Sequence, residues 1–563
     1  MIRKNDTVRL KIEDITSDGL GVGRADSMAV FVKDTVIGDE VEALIVKEKK
    51  TYAYGRLLEV LSPSADRVEP LCAVARKCGG CQLQMMRYDA QLQFKYNRVK
   101  NALERIGGFS QISEKMLPTE GMENPRNYRN KAQYPVGTAK GGELVCGFYA
   151  GRTHSIIPLV QTVSDGSQGE PVQPAECAIG AAGDGGILKI ILAHMQKYRI
   201  PAYDEADGTG LLRHVLIRTA RGTGQVMVCL IINGEQIPKE KQLVSALREQ
   251  VPEIACIAVN SNRDRTNVIL GQKTRTVSGK DYIEETLRDL KYRISPVSFF
   301  QVNSLQAEKL YDTVLRFADL HGKETVLDLY CGTGTISLFL ARQAGKVYGI
   351  EVVEQAILDA WENARQNGIS NVSFFAGEAE KELPALYQSG ELSADVVVTD
   401  PPRKGCDGAV LETILMLSPE RIVYVSCDPA TLARDLKILC EKDYVIRKVQ
   451  PVDMFPHTVS IETVCLLSKL SEVKHHINVQ VDMDELDLTA AESKATYEEI
   501  QEWVQEKYGF HVTHVNIAQV KRKHGIIERE NYNKPKSSDS RQPGCPIEKM
   551  NAIEEALEFF QMI

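Results

Sequence analysis

The chain has 563 residues, too many for one domain and enough for three or four of the usual size. Hydrophobic residues make up 43% and charged residues 26%, a composition that forms buried cores and excludes a largely disordered protein. The net charge is −8, so any basic surface for nucleic acid must be local, and no apolar run approaches the length of about 18 residues that spans a bilayer.

Residues 1–61 are predicted to form a small β-barrel. Segments 8–12, 29–32, 41–46 and 52–60 carry the alternation of strands, and Gly19, Gly21 and Gly23 form a flexible corner. Short strands joined by glycine corners within about 60 residues are typical of a closed barrel of OB-like size. Ser62-Pro63-Ser64 then reads as a linker into the next domain.

Residues 62–295 are predicted to form a mixed α+β central domain that begins with a cysteine cluster. The chain has 13 cysteines, an odd count that argues against a disulfide framework. Cys72, Cys78 and Cys81 have the spacing C-x5-C-x2-C around two glycines, and Cys177 and Cys146 are the nearest candidates for a fourth ligand. Zinc and an iron–sulfur cluster both accept four thiolates, and the spacing does not separate them.

The segment from Arg126 to Lys131 is a candidate nucleic-acid contact in the same domain. It reads RNYRNK, in which cations flank Tyr128. Cations suit phosphates and an aromatic ring suits a stacked base.

Residues 296–468 are predicted to form an α/β catalytic domain with a doubly wound parallel sheet. A strand at 325–330 runs into Cys331-Gly332-Thr333-Gly334, a helix follows at 335–342, and a second strand ends at Glu351. Glycines let a ligand approach the backbone, and a carboxylate 19 positions after Gly332 suits two ribose hydroxyls. Ser337 stands where a dinucleotide would need a third glycine, which favours S-adenosylmethionine over NAD.

Two further strands of this domain end in reactive side chains. The strand at 396–399 ends in Asp400-Pro401-Pro402, and the strand at 422–425 runs into Ser426-Cys427-Asp428. Carbon 5 of uracil is a poor nucleophile, but a thiolate that adds to carbon 6 makes carbon 5 able to attack a sulfonium methyl group. A base must then remove the carbon 5 proton, and the candidates are His457 and Glu462, followed by Asp428 and Asp453.

Residues 469–563 are predicted to form a small helical extension. It has an acidic start at Asp482, Asp484, Glu485 and Asp487, then helices at 497–508 and 514–524 with Thr513 as N-cap. A helix, a short connection and a helix ending in Lys521-Arg522-Lys523 are compatible with a helix-turn-helix-like module for extra RNA contact. A protein-partner module or a solvated appendage is the alternative.

The motifs DLYCGTG, DPPRKG, SCDP and FPHT…E, with SFFQVN at 298–303, together resemble the RNA (uracil-5-)-methyltransferase family over about residues 295–465. The resemblance implies a Rossmann-like, S-adenosylmethionine-dependent catalytic domain that methylates uridine through a cysteine adduct. It implies Cys427 as the nucleophile and Glu462 as the base. It also implies four residues that bind the methyl donor: Gln301, Tyr330, Glu351 and Asp400.

The resemblance extends to the first half of the chain. Residues 1–61 resemble the TRAM domain, an RNA-binding barrel, and iron–sulfur members of the family share the cysteine spacing. This implies a 4Fe-4S cluster on Cys72, Cys78, Cys81 and Cys177. A barrel together with a cysteine cluster favours 23S ribosomal RNA as the partner, with transfer RNA as the alternative. Neither DNA nor a membrane is expected as a partner. We expect a cytoplasmic enzyme, and the rival interpretation is a non-catalytic RNA-binding or assembly factor.

Overall fold

The first five strands close into the expected barrel, in the order β1-β2-β3-β5-β4. The structure is a computed structural model that describes residues 2–151, 153–162, 176–390, 392–470, 497–524 and 545–560. Inward side chains such as Ile12, Val30, Val41 and Ile45 form the barrel core. The strands are β1 (Thr7–Ile15), β2 (Gly21–Ala25), β3 (Met28–Val32), β4 (Glu40–Glu48) and β5 (Tyr52–Ser62).

The central domain is a seven-stranded sheet with helices packed against it. Its strand order is β12-β11-β10-β9-β6-β7-β8, and only the pair β10 and β11 is parallel. Strands β9 and β10 are buried along nearly their whole length; β10 is entirely apolar, whereas β9 also buries Arg213, His214 and Arg218. The helices are α1 (Tyr88–Arg105), α2 (Asp184–Lys197) and α3 (Glu240–Gln250), and the strands are β6 (Lys131–Thr138), β7 (Leu144–Tyr149), β8 (Ile156–Gln161), β9 (Leu212–Thr219), β10 (Val226–Ile232), β11 (Ile254–Ser261) and β12 (Lys273–Gly279).

A second seven-stranded sheet carries the predicted catalytic motifs. A hairpin of β13 (Ile283–Leu287) and β14 (Leu290–Ile294) precedes it. The sheet order is β17-β16-β15-β18-β19-β21-β20. Its strands are β15 (Thr325–Leu329), β16 (Lys346–Glu351), β17 (Val372–Ala376), β18 (Val396–Thr399), β19 (Arg421–Ser426), β20 (Tyr444–Val452) and β21 (Glu462–Lys469), and its helices are α4 (Ser304–Ala318), α5 (Thr335–Ala341), α6 (Glu354–Gln366), α7 (Ala379–Gln388), α8 (Gly408–Leu417) and α9 (Pro429–Cys440).

This catalytic sheet is parallel from β17 to β19 but antiparallel at its other edge. Strand β21 runs opposite to both β19 and β20. Nine residues without a helix join β20 to β21, too few for the crossover that a parallel pair requires. The predicted doubly wound parallel sheet is therefore present from β17 to β19 and ends in an antiparallel edge, and the reversal brings the start of β21 beside the end of β19.

The barrel packs against α1 and against the segment before β21. Ile15 and Val36 of the barrel share a buried cluster with Leu83 and Phe94, and Val459 packs against the same cluster. Gly19 has φ +81°, and a Cβ there would lie 2.5 Å from the side chain of Gln82. The corner between β1 and β2 therefore approaches the central domain more closely than a larger residue would allow.

The C-terminal residues form a separate unit that begins at Glu472. Its described residues contain α10 (Tyr497–Tyr508), α11 (His514–Lys523) and α12 (Ile547–Phe559), of which α12 was not predicted. Ile500, Ile517 and Ile553, one from each helix, share a buried core. Thr513 caps α11 as expected, in a capping box with Asn516. The acidic stretch 482–487 lies outside the described residues.

Across all the ranges given above, each helix is too short or too polar to cross a membrane.

Candidate active site

A cleft of about 1370 Å³ opens at the carboxyl ends of the parallel strands of the catalytic sheet. This is the edge at which open α/β sheets bind their ligands. The cleft is lined by all six residues predicted for catalysis and for binding the methyl donor, together with Ser17 and Asp18 of the barrel. The six are Gln301, Tyr330, Glu351, Asp400, Cys427 and Glu462.

The first part of the cleft is formed by the loop after β15. Tyr330 adopts φ +63°, a strained conformation that is rare for a residue with a side chain. Its hydroxyl is buried and has no hydrogen-bond partner among the described residues. Glu351, at the end of β16, accepts hydrogen bonds from the backbone amides of Gly332 (3.2 Å) and Val353 (2.9 Å). This carboxylate is fixed beside the glycine loop, where it can accept hydrogen bonds from a ribose.

Gln301 and Asp400 lie on either side of this loop. The backbone carbonyl of Gln301 accepts a hydrogen bond from the Asn130 side chain at 2.9 Å, which ties it to the central domain. Asp400 follows β18, and its amide donates to the carbonyl of Leu329 at 3.3 Å. Burial raises the pKa of Asp400 to about 6. The polar groups in this half of the cleft suit an adenosyl ligand with a charged amino-acid tail.

Cys427 and Glu462 lie at the same end of two neighbouring antiparallel strands. The last register pair there is Ser426 with Thr463; Cys427 directly follows Ser426, and Glu462 directly precedes Thr463. Cys427 is half-buried and lines the cleft rather than the hydrophobic core. The cleft therefore contains a thiol and a carboxyl group that are close enough for the carboxylate to raise the pKa of the thiol.

The charges around Cys427 favour its neutral thiol. Burial, together with the carboxylates of Glu462 and Asp400, raises the pKa of this thiol to about 11, while Arg403 opposes the shift. Burial and Asp400 also raise the pKa of Glu462 well above its usual range, and Arg403 again opposes them. Arg403 thus favours the ionised forms of both groups.

The structure separates the four candidate bases. His457 is buried away from the cleft, 3.2 Å from the side-chain amide of Gln91, and burial lowers its pKa to about 4. Asp453 is fully buried in an ion pair with Lys95. Asp428 borders the cleft, but its carboxylate caps α9 by accepting two backbone hydrogen bonds. Glu462 is the candidate that lines the cleft without such a role.

Several residues that line the cleft were not predicted. Arg403 stands inside the quoted motif DPPRKG, and Phe299, which is 68% exposed, stands inside SFFQVN. Arg98 reaches the cleft from α1 and donates a hydrogen bond to the carbonyl of Val459. The motifs could have indicated the first two residues. Arg98 has no sequence signal because its position depends on how α1 packs.

The expected role of Tyr128 in stacking a base is wrong. Tyr128 is 4% exposed, and its hydroxyl donates to the carbonyl of Pro456 at 2.9 Å, so its ring belongs to the core. Arg129 of the same segment does line the cleft.

The cysteine cluster lies beside the cleft. Cys72, Cys78, Cys81 and Cys177 line one cavity of about 360 Å³, whereas Cys146 is buried in the core of the central domain. Among the described residues, no group of three or more His, Cys, Asp or Glu side chains is arranged to hold a metal ion. The cavity therefore brings the four predicted thiols together, but within the described ranges they are not arranged as a metal site.

Comparisons with known proteins agree with this geometry. A family model described as tRNA (Uracil-5-)-methyltransferase matches residues 240–470, and a TRAM domain model matches residues 3–58. An RNA methyltransferase of Halalkalibacterium halodurans is 48% identical over 466 residues, which cover 83% of this chain and 98% of the relative. An RNA methyltransferase of Clostridium tetani is 46% identical over 473 residues, 84% of this chain and 98% of the relative.

A solved structure is similar over most of the chain. It is the Pyrococcus abyssi tRNA (uracil-54, C5)-methyltransferase in complex with S-adenosyl-L-homocysteine, with a TM-score of 0.63 and 26% identity. The match covers 82% of this chain and 100% of that chain.

Fold and site together define an S-adenosylmethionine-dependent RNA methyltransferase with an N-terminal TRAM domain. The chain belongs to the RNA (uracil-5-)-methyltransferase family. The predicted fold class, enzyme class and methyl donor are confirmed.

Proposed function

We propose that this enzyme methylates carbon 5 of an RNA uridine through a covalent adduct between Cys427 and carbon 6. The observation that carries the proposal is that Cys427 and Glu462 line, close to each other, the same cleft that also contains Tyr330 and Glu351. A redox cofactor or a simple binding surface would not require a thiol and a carboxyl group side by side in one cleft.

The proposed reaction balances with the residues at hand. The Cys427 thiolate adds to carbon 6, and the electron pair of the ring double bond attacks the methyl group of the sulfonium from carbon 5, which releases S-adenosylhomocysteine. Glu462, as a carboxylate, removes the proton from carbon 5. The double bond re-forms and the thiolate leaves. The methyl donor supplies the electrophilic carbon, and Gln301, Tyr330, Glu351 and Asp400 bind the donor.

Arg403 has a role in this proposal that follows from charge. Both the thiol and the carboxyl group have raised pKa values, and both must ionise during the reaction. The guanidinium of Arg403 opposes both shifts, so it supports the thiolate and the carboxylate at neutral pH.

We propose 23S ribosomal RNA as the substrate and the cytoplasm as the place of reaction. In this proposal residues 1–61, 62–295 and 296–468 act as barrel, central domain and catalytic domain around the cleft, and residues 469–563 are an extension. Transfer RNA is the second candidate, because the Pyrococcus abyssi transfer-RNA enzyme matches 82% of this chain. The target uridine must leave its base stack to reach Cys427.

The proposed 4Fe-4S cluster fits the cavity of the four cysteines. Cys81 lies close enough to Cys177, Cys78 and Cys72 for charge on any of them to raise its pKa further, after burial as the largest cause. Four thiolates around one cavity are the ligand set that a 4Fe-4S cluster uses. Such a cluster would stabilise the loop beside the cleft, since methyl transfer of this kind moves no electrons.

The direct test maps 5-methyluridine by mass spectrometry in ribosomal and transfer RNA from cells that lack this protein. Loss of one or more 5-methyluridines from 23S ribosomal RNA, restored by the wild-type gene, is the expected result. Loss confined to transfer RNA would select the second candidate. Unchanged 5-methyluridine in both RNAs would contradict the proposal.

A further inference from the structure

A second hollow opens beside the catalytic cleft, on the outer side of the cysteine loop. It has a volume of about 480 Å³ and is lined by Phe148, Tyr149, His154 and a floor of glycine backbone. Gly80 borders both this hollow and the catalytic cleft. A polynucleotide strand that leaves the cleft over Gly80 therefore passes directly into the hollow.

Three glycines, Gly79, Gly80 and Gly151, line the hollow beside the aromatic residues. The amide of Gly79 donates to the carbonyl of Tyr149 at 3.2 Å, and Cys78 pairs with Ala150 as an isolated antiparallel bridge. A Cβ at Gly79 would lie 3.2 Å from Gly151. The glycines thus allow two chain segments to lie close together and add no bulky side chain to this part of the hollow.

The wall of the hollow is a pair of aromatic rings held in a fixed orientation. The rings of Tyr149 and His154 have centroids 5.2 Å apart and planes 35° apart. The Glu205 carboxylate accepts a hydrogen bond from the Tyr149 hydroxyl at 3.0 Å and also bonds to His154. His214 packs edge-on against Tyr149 from the buried side, with centroids 6.4 Å apart. Two rings are therefore oriented before any ligand arrives.

The pairing of His154 with Glu205 contributes little to stability. The His154 side chain is 65% exposed, and an exposed pair of this kind contributes at most about 1 kcal/mol. Partial burial would raise the pKa of Glu205, but the hydrogen bonds from His154 and Tyr149 outweigh it and lower that pKa, so the carboxylate stays charged and keeps both rings in place. Exposed Arg76 and Lys77 stand on the adjoining loop, where they can meet phosphates.

We propose that Tyr149 and His154 form a stacking subsite for an unpaired nucleotide next to the methylated uridine. The ligand is a nucleobase of a single-stranded RNA segment. Any of the four bases can bind there, because every base has a π-face that stacks on an aromatic ring. The inference rests on the proposed function for its substrate class, and it adds a second contact outside the cleft. Its role is to hold the flanking strand while the target base occupies the cleft.

The test compares how tightly variants of the full-length protein bind two fluorescein-labelled probes. One probe is a 12-nucleotide oligouridine, and the other is the same ribose-phosphate chain without bases. Fluorescence anisotropy gives the affinity of the wild type, His154→Ala and His154→Tyr. The matched control is His321→Ala. His321 is also an exposed histidine paired with a glutamate, its Nδ1 lying 3.5 Å from a carboxylate oxygen of Glu324, but it lines neither cavity.

We expect His154→Ala to weaken oligouridine binding about fivefold or more, the cost of losing one stacked base. His154→Tyr restores the affinity because it restores a ring, His321→Ala leaves the affinity unchanged, and the abasic chain binds all variants equally. The subsite is overturned if His154→Ala binds oligouridine as tightly as the wild type. It is equally overturned if the loss is the same for the abasic chain, since that would be a phosphate contact.

Failure of the subsite and failure of the proposed function are distinguishable. S-adenosylhomocysteine binding checks that each variant is folded, because His154 lies outside the cleft that binds the donor. Methyl transfer by the wild type to RNA from cells lacking the protein tests the function separately. If His154→Ala weakens oligouridine binding as expected but the wild type transfers no methyl group, the function alone is overturned. If the wild type transfers the methyl group but all variants bind oligouridine equally, the subsite alone is overturned.

Discussion

The Lys95 ammonium lies 2.5 Å from a carboxylate oxygen of Asp453, and both side chains are fully buried. Tyr88 donates to the other oxygen of Asp453 at 2.9 Å, and Lys95 also donates to the carbonyl of Phe455 at 3.0 Å. Helix α1 of the central domain thus holds the segment that leads into Glu462. A charge pair between residues 358 positions apart thus anchors the segment that precedes the proposed base.

Replacing Lys95 should therefore affect both stability and turnover. Lys95→Met leaves the Asp453 carboxylate buried without its countercharge, which costs about 3–5 kcal/mol. Urea unfolding measures that loss, and methyl transfer should show a fall in kcat larger than any rise in KM for RNA. Lys100→Met on the same helix removes a partly exposed pair with Glu104 at 3.7 Å and should cost less than about 0.5 kcal/mol. Equal losses in both variants would contradict this interpretation.

Removing the proposed nucleophile should separate chemistry from donor binding. Cys427→Ala is expected to reduce methyl transfer at least 10³-fold, on the order of the loss when a catalytic nucleophile is removed. Calorimetry should find S-adenosylhomocysteine bound with nearly wild-type affinity, because the donor residues are unchanged. Cys440→Ala, a half-buried cysteine outside the cleft, is the control and should remain active. Activity of Cys427→Ala near that of the wild type would exclude the covalent route.

Replacing the proposed base should trap the adduct. In Glu462→Gln the proton on carbon 5 has no acceptor, so elimination stalls and a protein–RNA complex should survive on a denaturing gel. His457→Ala should not accumulate that complex, because His457 lies outside the cleft. If the adduct appears with His457→Ala and not with Glu462→Gln, the assignment of the base is wrong.

The charge of Arg403 should set the pH dependence of methylation. The thiol pKa of Cys427 is raised to about 11, so the thiolate fraction and the rate should increase with pH across the neutral range. Arg403→Met removes the charge that lowers the pKa values of Cys427 and Glu462, so both should rise. A shift of about one unit would lower kcat/KM about tenfold at neutral pH and move the profile to higher pH.

Two variants control this measurement. Arg403→Lys retains the charge and should retain most of the profile. Lys404→Met removes a neighbouring charge that lies 3.6 Å from Glu380 and should leave the profile in place. An unchanged pH profile in Arg403→Met would rule out the proposed electrostatic role.

The cysteine cavity gives a prediction that does not depend on activity. Protein isolated without oxygen should contain about four iron atoms per chain and should absorb visible light. Cys177→Ser should lose most of the iron and most of the absorbance, because a thiolate ligand is gone. Cys146→Ser should retain both, since Cys146 is buried in the core of the central domain and does not line the cavity. Iron analysis and absorbance spectra decide the question, and an iron-free wild type would refute the cluster.

Much of the fold was predictable because its signals are local. Periodicity and turn residues predict three parts of the fold: the alternating barrel strands, the strand, glycine loop and helix around Gly332, and the helix at 497–508. The antiparallel reversal at β21 was not predictable from these signals. Strand direction depends on which strand becomes the neighbour, and that neighbour is chosen by packing.

By itself the sequence determined which chemical groups the protein carries and the order of its motifs, which was enough to predict the family and six candidate residues of the cleft. Only the tertiary structure brought Cys427 and Glu462 together in one cleft, removed His457 and Tyr128 from the site by burial, and brought Arg98 into it. The physical reason is that composition and periodicity act over a few residues, whereas burial and charge pairing depend on segments that are hundreds of residues apart in the chain.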